Sequence, residues 1–299
     1  RETTSEVVLK DRLIKAINKL NSNLPEEAIK KAVDEVTKDR NQLSLVKANE
    51  EVYKLIKDGV KVRIKNNKGT YDIKTVKIID FDEPTNNEYF LASQFWITGE
   101  IYKRRPDLIV FINGMPLVLI ELKATGVKVK RAFDENITDY KESIPQLFWY
   151  NAFIIISNGK ESKVGSITSG YEHFSEWKKI SKEKEAGIVS LDTILTGICD
   201  KVRCMDLIEN FTFFFTLEGN IIKVVAKNHQ FLGVNNSIES FRKRQENKGK
   251  LGVFWHTQGS GKSFSMIFFA QKVLRKFEGN YTFLVITDRQ ELDNQIYQN

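Results

Sequence analysis

An α/β fold is what this 299-residue sequence predicts, and three observations predict it. Apolar residues recur at helical spacing through the first 58 positions. Between positions 60 and 158 they recur at spacing two, or in short unbroken β-branched runs, with helical stretches between. From position 252 an apolar run, a Gly-rich turn and a helical stretch follow one another, the order a phosphate-binding loop requires.

The elements follow in order. Thr3, Thr4, Ser5 and Glu6 precede Val8, Leu9, Leu13, Ile14, Ile17 and Leu20, which predicts a capped amphipathic helix starting at those polar residues. Pro25 opens a second helix over 25–39, with Ala28, Ile29, Ala32, Val33 and Val36 as its stripe. A third covers 43–57 and stops at Gly59. Val60, Val62 and Ile64 alternate with charges as in a half-exposed strand, and residues 66–69 turn the chain into a second strand over 71–80. A polar loop with Pro84 follows, then strand-like sequence over 90–102. Residues 128–140 read as a helix, and 151–158 as a buried strand ending at the Asn158-Gly159 turn. Trp177 is expected in a core, 178–185 on a solvated face, 191–200 in a helix and 204–211 in a connector.

The chemistry concentrates in residues 105–123, RPDLIVFINGMPLVLIELK. Two apolar runs flank an Asn-Gly turn, which predicts a hairpin. With a three-residue loop over 113–115, Ile112 faces Pro116 and, counting outward, Asp107 faces Glu121. Opposed residues on one face have Cβ atoms roughly 4.5–5.5 Å apart. Lys123, two residues on, shares that face. Two carboxylates that close repel, and a hard divalent cation relieves them; Mg²⁺ is held by one or two carboxylates plus phosphate oxygens. An amine beside them orients water or stabilises phosphate charge. The pattern points to phosphodiester hydrolysis, against the plainer reading of a solvated hairpin end.

Pro106-Asp107 with Glu121-Leu122-Lys123 resembles the PD-(D/E)xK nuclease signature. The fuller stretch resembles the nuclease domain of the restriction (HsdR) subunit of type I restriction enzymes, and the likeness continues through RAFDENITDYKESIPQLFWYNAFIIISNG, GSITSGYEHFSEWK and WHTQGSGKS. The resemblance implies a mixed sheet flanked by helices, as in restriction endonucleases, and catalytic roles for Asp107, Glu121 and Lys123. It also implies a Gln-x-x-x-Tyr motif, whose tyrosine matches Tyr140 and whose Gln position holds Asn136; Gln146 and Tyr150 repeat the spacing by coincidence. In such nucleases an early helical acid often joins the metal site, for which Glu6 and Glu50 are the candidates.

In the second chemistry, residues 252–256 are expected as a buried strand and 264–277 as a helix, with Gly259, Ser260, Gly261, Lys262 and Ser263 in the loop between. Glycines let backbone N–H groups curl around phosphate, Lys262 reaches the β/γ-phosphates, and the Ser263 hydroxyl sits on Mg²⁺. His256 stands where the general pattern has Gly. Gln230 is either an adenine reader or an exposed polar residue. Residues 281–287 are expected as a further buried strand, and 288–292 resemble motif Ia of superfamily 2 helicases. The acidic and arginine motifs of a complete ATPase are not among these residues. The expectation is a nuclease domain over 1–200 and the first part of a RecA-like P-loop domain over 201–299, read as a fragment of something larger.

By resemblance the function is that of the ATP-dependent translocase and endonuclease subunit, cutting unmodified double-stranded DNA with Mg²⁺ and ATP beside methylation and specificity subunits in the cytoplasm. The alternatives are a helicase-like remodeller with an inert nuclease domain, and a nucleotide-switched binding module. The formal charge of +7 is compatible with nucleic acid. No apolar run is long enough to span a membrane. Cys199 and Cys204 match no metal spacing and are expected as a buried, reduced pair.

Overall fold

Three helices open the chain, α1 (Lys10–Leu20), α2 (Glu26–Thr37) and α3 (Leu45–Asp58), in a computed structural model that describes residues 3–65 and 69–286. α1 starts later than its polar lead-in predicts. The Leu9 N–H is spent on the Gly114 carbonyl at 2.8 Å, Val7 and Val8 are buried, and no side chain caps the helix. Glu26 and Glu27 occupy the first turn of α2, where the helix dipole favours negative charge. Ser44 caps α3 by accepting from Lys47 N, and Gly59 ends it at φ 78°.

The chain groups into two compact units, Arg1–Phe174 and Ser175–Asn299. In the first, β1 (Val60–Lys65) pairs antiparallel with β2 (Tyr71–Val76) and lays Val60, Val62 and Ile64 on α2. β2 is shorter than expected. Past it the Asp80 carboxylate accepts from the N–H groups of Asp82 and Glu83, which turns the chain. The expected strand over 90–102 is also broken. β3 (Tyr89–Ser93) stops at Gln94, which is left-handed at φ 52° and gives its N–H to Asp107 O. A small hairpin follows, β4 (Ile97–Thr98) with β5 (Lys103–Arg104).

β6 (Leu108–Ile112), β7 (Met115–Leu122), β8 (Phe153–Ser157) and β9 (Ser162–Gly165) complete this unit's sheet, in the order β9-β8-β7-β6-β3. β6 and β7 are antiparallel; β7 and β8 are parallel. A parallel pair needs a crossover. Residues 124–152 provide it, with a π-helical segment Ala132–Ile137, the helix α4 (Thr138–Ser143) and a 3-10 turn Pro145–Leu147. β8 is buried along its whole length and β7 at all but its last position, which is why both read as unbroken apolar runs.

The second unit holds β10 (Ser175–Glu176), α5 (Leu191–Ile198), α6 (Lys201–Asn210), the antiparallel hairpin β11 (Thr212–Leu217) and β12 (Asn220–Val225), α7 (Asn228–Arg242) and α8 (Lys262–Lys276). Trp177 is fully buried against Phe231, which packs at a tilt on Phe211, and Phe268 closes the cluster. The expected connector over 204–211 is instead α6, whose first turn is capped by the Asp200 carboxylate. Cys199 and Cys204 are unbridged, and burial pushes the Cys199 thiol up to about 12. The expected buried strands over 252–256 and 281–287 do not form among the described residues. Val253, Trp255, Leu284 and Ile286 are exposed. A buried parallel strand needs hydrogen-bonded neighbours and cover on both faces, and no described strand pairs with either segment. No described helix is long and apolar enough to cross a membrane.

Candidate active site

The hairpin turns at Asn113 and Gly114, with φ 48° and 78°, and pairs Ile112 with Met115. That is a two-residue turn with both residues left-handed, in place of the expected three-residue loop, because Asn-Gly tolerates two positive φ angles. The register then shifts. Phe111 pairs with Pro116 but Val110 with Val118, so Leu117 is an extra residue, a β-bulge. Beyond it Leu108 pairs with Ile120. The turn and the bulge together arrive at the register counted from the sequence. Asp107 N donates to Glu121 Oε2 at 3.4 Å, and Leu122 N donates to Asp107 Oδ2 at 2.9 Å.

Glu121 lies on β7 between β6 and β8 and is only 2% exposed. Burial, and next the charge of Asp107, push its carboxyl up to about 7, against the Asp107 N–H bond and the charge of Lys123. Lys123 Nζ donates to Asn136 Oδ1 at 2.5 Å, Asn136 Nδ2 donates to Tyr140 OH at 3.2 Å, and Tyr140 OH donates to Glu121 Oε1 at 3.3 Å. Burial and the Glu121 charge raise the Tyr140 phenol above its usual value, which keeps it a donor. Asn136 sits in the π-helical segment, where the Thr138 N–H reaches back to Phe133 O. Such segments recur at functional sites. All five residues, Asp107, Glu121, Lys123, Asn136 and Tyr140, thus form one connected group.

Other candidates lie elsewhere. Gln146 donates to Thr98 O and Tyr150 to Val36 O. Glu6 is paired with Lys10, and Glu50 with Lys47 and Lys54. Sequence reasoning missed Gln94, which fastens Asp107 twice: its N–H binds Asp107 O at 2.8 Å and its Nε2 binds Asp107 Oδ1 at 2.9 Å. Nothing in Ser-Gln-Phe-Trp marks it.

Among the described residues no group of three or more His, Cys, Asp or Glu could hold a metal. The pair Asp107 and Glu121 still fits a hard cation. The charge of Lys123 does not offset the burial of Glu121 and its repulsion by Asp107, and Mg²⁺ commonly takes one or two carboxylates and completes its shell with water and phosphate oxygens.

In the second unit, Gly259 and Gly261 are left-handed at φ 76° and 81°, so the loop curls before α8 begins at Lys262. Lys262 Nζ donates to His256 O and Thr257 O at 2.9 and 3.1 Å. Ser263, half-buried, lies in the first turn of α8. Gln230 is buried, not exposed. It accepts from Lys227 N at 2.8 Å and donates to Gly261 O at 3.0 Å, tying the loop to α7. His229, not singled out in the sequence, has its Nε2 2.9 Å from Ser260 O. Residues 288–292 lie outside the described residues.

The family described as "Type I restriction enzyme R protein N terminus" matches residues 1–173. The chain belongs to this family. Residues 229–299 match the SWI2/SNF2 ATPase family. The type I restriction enzyme HindI endonuclease subunit of Haemophilus influenzae is 37% identical over the whole chain, and the putative MjaIXP endonuclease subunit of Methanocaldococcus jannaschii is 33% identical over 99% of it. The SsaAORF53P endonuclease subunit of Staphylococcus saprophyticus is 27% identical over 70% of the chain. The chain spans 29% and 30% of the length of the first two. It is similar to type I restriction enzyme endonuclease subunits over less than a third of their length, and its mixed sheet with flanking helices fits a nuclease-like fold.

Proposed function

We propose that the first unit cuts double-stranded DNA by phosphodiester hydrolysis at the Asp107–Glu121–Lys123 face, and that the second opens a RecA-like ATP-driven translocase. The single observation that carries the nuclease reading is the connected group around Glu121, a buried carboxyl at about 7 facing Asp107 and linked through Tyr140 and Asn136 to Lys123. Asp107 and Glu121 would hold Mg²⁺, which when bound supplies Lewis-acid polarisation of the phosphoryl group. Lys123, held by Asn136, presents an ammonium to the phosphate or its attacking water. Tyr140 orients Glu121, and Gln94 and Leu122 N orient Asp107.

The loop over 257–263 supports ATP binding through Lys262 and backbone N–H groups at the start of α8, with Ser263 on the nucleotide's Mg²⁺ and Gln230 holding the loop's shape. The partners are the methylation and specificity subunits of the same complex, in the cytoplasm, and the target is unmodified foreign DNA.

The test is the full-length subunit with its partners on circular unmodified DNA, with Mg²⁺ and ATP. Asp107→Ala is expected to abolish cutting and keep ATP turnover. Cutting at wild-type rate by that variant would sink the nuclease reading.

A further inference from the structure

Between Gln94 and Asp107, Phe95 packs on Phe111 and Ile97 is buried, yet the stretch also exposes large side chains. Trp96 is 46% exposed, Tyr102 54% and Ile101 82%. Monomeric surfaces rarely group such residues without a partner. The Arg105 guanidinium lies 5.1 Å from the Trp96 ring centre and the Lys103 ammonium 5.9 Å. Arg104 is neutralised by Asp139, with bonds of 2.5 and 2.7 Å. Lys103 and Arg105 form no ion pair among the described residues, and Glu100 at the tip is the only acid between Trp96 and Arg105.

These side chains stand on a fixed mount. Thr98 N donates to Thr4 O and Gln146 Nε2 to Thr98 O, both at 2.9 Å. A Cβ on Gly99 would lie 1.8 Å from Ser143 O, so the hairpin backbone is pressed against the end of α4. Arg105 is two residues from Asp107, within about 7 Å along the chain.

We propose that β4–β5 and its flanks form a DNA-contact surface beside the carboxylate pair, with Lys103 and Arg105 on backbone phosphates and Trp96 and Tyr102 packed on a sugar or an unstacked base. Two unpaired cations interleaved with exposed aromatic rings suit a polyanion that also offers flat apolar faces. The surface would set which phosphate arrives between Asp107 and Glu121. It depends on the nuclease reading only for that last consequence.

The experiment uses the full-length subunit with its partners and ATP, carrying Trp96→p-benzoylphenylalanine, illuminated on labelled DNA. Crosslinking to a DNA strand is expected. The additional pair Lys103→Ala and Arg105→Ala is expected to make its log–log salt dependence shallower by about two, one for each lost phosphate contact. Lys103→Arg with Arg105→Lys keeps both charges and is expected to keep the crosslink, which separates loss of contact from loss of fold. A crosslink to protein alone, or an unchanged salt slope in the alanine pair, overturns the proposal. Because crosslinking is read without cleavage, absence of cutting in the wild type would count against the nuclease reading and not against this one.

Discussion

Glu121→Gln isolates the electrostatic cost built into the site. The native carboxyl is 2% exposed and raised from 4.5 to about 7 by burial and by Asp107. In the unfolded chain it ionises near its ordinary value. Below pH 4.5 both states are protonated, and glutamate behaves like glutamine. As pH rises from 4.5 to 7 the unfolded state gains the charge first, so stability falls by about 1.4 kcal/mol per unit and about 3 kcal/mol in all. Above pH 7 both states are ionised and the loss is complete. The variant has no such loss, so relative to the wild type it gains up to about 3 kcal/mol between pH 4.5 and 8 without divalent ions. The assay is hydrogen exchange of the β7 and β8 peptides, buried strands that exchange through large-scale opening. Comparing variant with wild type at each pH cancels the intrinsic chemistry. A difference that stays constant from pH 4.5 to 8 would refute the assignment. Excess Mg²⁺ is expected to stabilise the wild type at pH 8 and to do little for the variant, since ligand binding to the folded state adds stability by mass action.

Other outcomes follow from the same contacts. Asn136→Ala unties Lys123 from Tyr140 and is expected to lower cutting about 100-fold by misplacing the amine, while Asn136→Gln, which restores the amide, keeps it within about tenfold; equal losses in both would discount the Lys123–Asn136–Tyr140 chain. Gly114→Ala forces alanine to φ 78° and puts a Cβ 2.5 Å from Leu9 O. It is expected to cost the first unit about 2–4 kcal/mol, read as a lower urea midpoint with an unchanged m value. Lys262→Ala in the full-length enzyme is expected to lose ATP turnover and, with it, DNA cutting; cutting at wild-type rate under ATP would break the coupling.

Much of the first unit was legible because its elements obey local rules. The Asn-Gly dipeptide announced a hairpin, and the unbroken runs in β7 and β8 announced central strands. Their exceptions are tertiary. Thr3 to Glu6 carry a good capping signature, but the Leu9 N–H goes to Gly114 O, a contact more than a hundred residues away that no window could show. Gln94 is invisible for the same reason. Its conformation depends on Asp107, thirteen residues on. In the second unit, apolar runs over 252–256 and 281–287 look like buried strands, yet an apolar run specifies burial only if neighbouring strands are there to pair with it. The helix α6 has ordinary helical signals in the stretch that reads as a connector, and the hairpin β11–β12 lies just past it, in residues 212–225, where no element is expected from the sequence.

The register of β6 against β7 links turn chemistry to the geometry of the carboxylate pair. A two-residue turn alone would continue Ile112–Met115 outward and set Asp107 beside Ile120, and alternation would then place the two carboxylates on opposite faces. The extra residue Leu117 corrects this by one position, after which Leu108 pairs with Ile120 and Asp107 reaches Glu121. The bulge therefore does chemical work at a distance. The same strand's burial then does the rest: because β7 is flanked by β6 and β8, Glu121 has almost no water to solvate its charge, and the fold itself creates the demand for a counter-charge that a cation would meet. An identical Asp and Glu on an edge strand would be solvated separately and would exert no such demand. The position of Glu121 on a central strand, with Asp107 just ahead of the neighbouring one, matters more than the identity of the acids in turning two common carboxylates into a candidate hydrolytic site.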